Sequence, residues 1–95
     1  MTATVTKLKV RVGERELTVA GRQAWALDAL VRAGDAGCTP IDHPGPRWSD
    51  YVFKLRRDGI GVETIDERHA GPYAGTHARY VLKGPVVILD REVKP

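Results

Sequence analysis

Residues 46–64 read Pro-Arg-Trp-Ser-Asp-Tyr-Val-Phe-Lys-Leu-Arg-Arg-Asp-Gly-Ile-Gly-Val-Glu-Thr, and the hydrophobic period changes inside that stretch. Trp48, Tyr51, Val52 and Leu55 recur three and four residues apart, which places them on one stripe of a helix over 46–58. Pro46 suits the first helical position, where its missing N–H costs nothing, and Gly59 ends the run. The opposite surface carries Ser49, Asp50, Phe53, Lys54, Arg56 and Arg57. Phe53 is an apolar ring among polar neighbours, which is unusual on a wet face. From Ile60 the period falls to two: Ile60, Val62 and Thr64 share one face of a strand that ends near Glu67.

Downstream, Ala78, Tyr80 and Leu82 share one face of a second strand. The Gly/Pro-containing residues 68–77 form a long loop at the tip of the resulting hairpin. The tail adds a strand over Val86–Leu89 and then a charged end that frays. Upstream, Pro40, Pro44 and Pro46 leave room for at most one helical turn around Ile41. Residues 22–33 have helical spacing, with Ala24, Leu27, Leu30 and Val31 on one face and Gly34 and Gly37 as stops. Trp25 lies nearly opposite, so this helix packs on two sides, with a hairpin available to cover the second. That hairpin comes from residues 5–20: Leu8, Val10 and Val12 alternate with Lys7, Lys9 and Arg11, and Leu17 and Val19 follow the turn at Gly13-Glu14.

Ninety-five residues make one small domain, and ten Gly with six Pro argue for turns against a plain helical bundle. The longest apolar run, residues 85–89, is too short to span a bilayer, and the first residues lack the pattern of a secretory signal. The lone Cys38 rules out an internal disulfide framework and fits a reducing cytoplasm; it reads as a small buried filler. Ten of the 15 cations are Arg, the residue suited to phosphates and guanine edges, and the formal charge is +3. Residues 1–22 hold five cations and two anions, residues 23–46 one against three, and residues 47–83 seven against five. The first helix is thus acidic, while the cations favour the hairpin and the segment from Arg47 onward.

Helix, short break, helix and two-stranded hairpin is the order of a winged helix. Arg22-Gln23-Ala24-Trp25-Ala26-Leu27-Asp28-Ala29-Leu30, Thr39-Pro40-Ile41, residues 52–59 (Val-Phe-Lys-Leu-Arg-Arg-Asp-Gly), Val62-Glu63-Thr64 and Ala78-Arg79-Tyr80-Val81-Leu82 resemble a family of short winged helix-turn-helix proteins from bacterial and prophage-like gene sets. The resemblance covers about residues 21–83. It implies an α+β fold, a winged helix-turn-helix with an additional N-terminal β-hairpin: hairpin 5–20, core 21–83, and strand and tail 84–95 of a single domain.

It also implies binding to double-stranded DNA by a transcriptional regulator, with helix 46–58 in the major groove and wing 68–77 on backbone or minor groove. Arg47, Ser49, Lys54 and Arg57 are the helix candidates; Arg68, His69, His77 and Arg79 are the wing candidates. Two copies on DNA, a homodimer, would compensate for the modest surface of one module. Against an ordinary helix-turn-helix, the second helix is replaced by the proline-rich segment 40–46. Asp50 stands on the proposed DNA face, where it repels phosphate or accepts from a cytosine amine. A protein-binding winged helix, an adaptor or a phage-encoded inhibitor, is the competing reading; it would dock through a hairpin edge or through Phe53 and Tyr73.

No Ser-His-acid arrangement, P-loop or dinucleotide fingerprint is present, so the sequence reads as no enzyme and calls for no cofactor. His43, His69 and His77 lack zinc spacing with Cys38, so no metal site is expected. No small-molecule substrate and no membrane partner are expected either, and the cytoplasm is the expected compartment.

Overall fold

A computed structural model describes residues 4–44, 47–69 and 75–94. The alternating segment at the start forms β1 (Thr4–Val12), and β2 (Arg15–Ala20) returns along it. Gly13 turns between them at φ +63, which a two-residue hairpin turn with Gly at its first central position needs. Leu8 stands opposite Val19 and Val10 opposite Leu17, so one apolar face runs across both strands.

The tail does not fray. It forms β5 (Val86–Lys94), which pairs antiparallel with β1 from Val12↔Val86 to Thr4↔Lys94 and completes a sheet of order β2-β1-β5. Its charges, which read locally as a solvated end, face opposite charges on β1. Lys7 stands across from Glu92 and Lys9 across from Asp90, and opposite charges in register support a strand pair. Register shifts between Val5/Lys7 and Lys9/Val10 adjust the pairing. Arg91 is tied to the first helix: its Nε and Nη2 donate to Asp28 Oδ1 at 3.0 and 2.7 Å.

That helix, α1 (Arg22–Ala33), has the bounds its spacing predicts. Ala24, Ala26, Leu27 and Leu30 are fully buried. Trp25 uses its own side of the helix to meet α2 (Trp48–Arg57): its ring centroid lies 5.5 Å from Trp48 and 6.4 Å from Tyr51. The second side of α1 is therefore covered by α2 as well as by the hairpin. The remaining elements are β3 (Gly61–His69) and β4 (Gly75–Lys83), paired from Gly61↔Lys83 to His69↔Gly75. The loop expected over 68–77 is correspondingly shorter. Arg68, His69, Thr76 and His77 belong to strands, because β3 and β4 keep their ladder well past Glu67. Residues 70–74, Tyr73 among them, lie outside the described residues.

Between α1 and α2 the chain makes a short 3₁₀ turn, Gly34–Ala36. Cys38 then exchanges two backbone hydrogen bonds with Tyr80, each of 2.8 Å. The single turn expected around Ile41 is present: His43 N donates to Thr39 O at 2.9 Å, and Asp42 N to Thr39 Oγ1 at 3.0 Å. Helix α2 begins two residues later than the spacing suggested, with Arg47 at its N-cap and Asp58 at its C-cap; Pro46 lies outside the described residues. Leu8 and Val10 of β1, Leu27 and Leu30 of α1, Val52 and Leu55 of α2, and Ile60 close one core. Trp48, stacked on Tyr80 at 5.8 Å with planes 15° apart, joins α2 to the wing.

Candidate nucleic-acid interface

Helix α2 buries Trp48, Tyr51, Val52 and Leu55, so its remaining side chains face away from the core. Ser49, Phe53 and Arg57 are all exposed and stand four residues apart, which aligns them as one ridge. Arg57 lies over the Phe53 ring, its Cζ 6.0 Å from the centroid. Phe53 is 58% exposed. Beside the ridge, Lys54 Nζ meets Asp50 Oδ2 at 3.2 Å, one turn away on the same helix. The pair leaves Lys54 exposed and partly offsets the negative charge of Asp50 on this face. Arg47 is exposed at the N-cap, with no ion pair to an acid among the described residues.

The wing candidates separate into two groups. Arg68 is exposed and stands opposite Thr76, and His69 stands opposite Gly75. Arg79 and His77 both meet Glu67, at 2.6 and 3.1 Å, and Arg79 Nη1 also donates to Ala36 O at 2.8 Å. The Arg79 hydrogen bond, with His77 adding to it, holds the Glu67 carboxyl below its ordinary range, and Glu67 in turn raises Arg79. Arg79 thereby anchors the wing to the 3₁₀ turn. The structure thus brings Arg47, Ser49 and Arg57 together on α2, leaves Arg68 exposed on β3, and engages Lys54, His77 and Arg79 in internal pairs.

Three positioning contacts had no signal in the sequence. Arg56, which local pattern does not distinguish from Arg57, donates Nε and Nη2 to Val62 O at 3.0 and 2.6 Å and Nη2 to Thr64 Oγ1 at 2.8 Å. It locks the helix to β3. Arg15 Nη2 donates to Asp58 O at 2.9 Å, so a cation from the hairpin sits at the C-terminal end of α2, where the helix dipole favours it. Trp48 Nε1 donates to His43 O at 2.6 Å and ties the start of α2 to the preceding turn. These three contacts hold α2 to the elements around it.

Cys38 is fully buried. Burial pushes its thiol from 9.0 up to about 11, with Arg79 acting in the opposite direction. At pH 8 the folded protein therefore holds about a hundredth of the thiolate of the unfolded chain. Iodoacetamide is expected to label the native protein at least about a hundredfold more slowly than the urea-unfolded protein; comparable rates would contradict the burial. Because the unfolded thiol ionises first, stability falls as pH rises from 9.0 towards about 11. Cys38→Ala lacks this slope.

An open cleft of about 380 Å³ between β1 and the start of α1 is lined by Thr4, Val5, Thr6, Gly21, Arg22 and Trp25. Its lining contains no acid, His or Cys. Among the described residues no group of three His, Cys, Asp or Glu side chains converges on a metal position, and no helix is long and apolar enough to cross a membrane.

A helix, one turn, a second helix with a polar outer face, and a two-stranded wing bridged to the segment before the turn define a winged helix. The family model described as a winged helix domain matches residues 16–92, and the chain belongs to that family. The match runs from β2 to β5, wider than the 21–83 of the resemblance, and leaves out β1, the central strand of the sheet. Comparison with curated proteins and with solved structures returns no match.

Proposed function

We propose that this chain is a double-stranded DNA-binding protein, a transcriptional regulator acting in the cytoplasm and not an enzyme, with α2 entering the major groove and the β3–β4 hairpin reaching backbone or minor groove. The observation that carries the reading is the exposed ridge Ser49–Phe53–Arg57 with Arg47 at the helix start. An α-helix fits the major groove, its outward side chains meet base edges, and Arg47 at its start falls near a phosphate. Arg47 and Arg57 stand on the order of 15 Å apart along the axis. Arg68 supplies a further cation on the wing, and two copies on one site would enlarge a small contact surface.

The test is affinity for duplex DNA across a salt series, read by fluorescence anisotropy. Binding should weaken steeply with salt, because each neutralised phosphate releases counterions. The double variant Arg47→Ala, Arg57→Ala should bind at least about tenfold more weakly and lose about one from the log–log salt slope. Both residues are exposed, so its thermal stability should match the parent's. The pairing of Lys54 with Asp50 and of Arg79 with Glu67 favours the second reading, a protein-docking winged helix. Weak DNA affinity without salt dependence would transfer the face to that reading.

A further inference from the structure

The one phenylalanine of the chain stands on the ridge that faces outward from α2. Every other large apolar residue of that helix is buried on the opposite side, so Phe53 shares its face with none of them. Its flanks are Ser49, the Lys54–Asp50 pair and Arg57. A ring isolated among charges makes a poor centre for a protein interface, which needs a packed apolar cluster surrounded by a polar rim. It is well suited to a major groove. There, the apolar group a base presents is the C5-methyl of a pyrimidine, while guanine offers O6 and N7 to a bidentate arginine.

Resting on the DNA reading above, we propose that Phe53 and Arg57 act as one reader of a C5-methylated pyrimidine beside a guanine. Phe53 covers the methyl group and Arg57 donates to the guanine. The 6.0 Å approach of the Arg57 guanidinium to the Phe53 ring holds the pair together before binding. Side chains four residues apart on a helix have Cβ atoms about 5–6 Å apart, close enough to serve neighbouring bases. The methyl group is shared by thymine and 5-methylcytosine. Either base supplies the required chemistry, and cytosine and uracil lack it.

The test begins by selecting duplexes from a randomised library with the full chain. The enriched duplex is then synthesised with thymine or uracil at the step, and with cytosine or 5-methylcytosine there. A thymine–guanine step should be enriched. Uracil should weaken binding about fourfold, the effect of one buried methyl-sized group, and 5-methylcytosine should bind more tightly than cytosine by a similar factor. Phe53→Ala, a change at an exposed position, should fold normally and bind the thymine and uracil duplexes equally. Enrichment of a site without the step, or equal binding of both duplexes by the parent protein, would overturn the assignment while leaving DNA binding intact. No enrichment together with no salt-dependent affinity would overturn both, and would place a protein partner on this face.

Discussion

Gly37→Ala is expected to be the most damaging small substitution in the chain. Gly37 has φ +69 and ψ −173, a region that residues with a Cβ adopt only at a cost of about 1–3 kcal/mol. A Cβ there would also lie 2.5 Å from the Tyr80 carbonyl oxygen and 2.8 Å from Val81 Cγ2. That oxygen accepts the Cys38 N–H in the bridge between the wing and the segment after α1. Relieving the clash means moving β4 or breaking the bridge, whose two hydrogen bonds contribute about 1 kcal/mol each. The combined loss of about 3–5 kcal/mol is a large part of the roughly 5–15 kcal/mol that stabilises a domain of this kind. Urea denaturation should show a truncated or absent folded baseline. Gly13→Ala is the control: its φ is +63, but nothing lies within 4 Å of the added carbon, so it should lose only about 1–2 kcal/mol. Equal losses for the two variants would contradict the account.

Asp28→Ala should rank next. Asp28 is 6% exposed, accepts two hydrogen bonds from Arg91, and meets Arg32 Nε through its other oxygen at 2.9 Å. Removing the carboxylate takes the acceptor from Arg91 and Arg32, but both arginines reach solvent, so a loss of about 1–3 kcal/mol is expected. The loss should fall mainly on β5, since Arg91 links that strand to α1. A salt-bridge argument alone would predict that any disruption is harmful. Burial predicts otherwise: Asp28→Leu combined with Arg91→Leu fills the site with apolar groups and should recover most of the stability. Equilibrium urea unfolding of the single and double variants checks both statements. A single-variant loss below about 1 kcal/mol would show that the pair contributes little.

The legibility of this protein follows the range of the interactions involved. The bounds of α1, the single turn near Ile41, the stripe on α2 and the period-two faces of β3 and β4 depend on neighbours a few residues away, and all were readable. Phe53 was conspicuous for the same reason: its surroundings on a helical wheel are polar whatever the helix packs against. The extent of β5 was not readable, because its charges acquire meaning only opposite Lys7 and Lys9 of β1. The fate of each cation was equally hidden. Arg56 and Arg57 are adjacent and chemically identical, yet one locks α2 to β3 and the other stays on the outer ridge. Arg79 and His77 both meet Glu67, a pairing that depends on the register of β3 and β4.

By itself, then, the sequence determined the kinds of element, their order, and the face each turns inward, since hydrophobic period and turn residues act locally. It also determined that a polar helix face with one exposed aromatic follows a proline-rich break. The tertiary structure decided which charged groups remain available for a partner. Whether a charge is free depends on acids and carbonyls brought near it by folding, from 10 residues away for His77 and Glu67 to 63 for Arg91 and Asp28. No local rule reports such a pairing. Folding engages His77 and Arg79 with Glu67 and leaves Arg47, Ser49, Arg57 and Arg68 exposed.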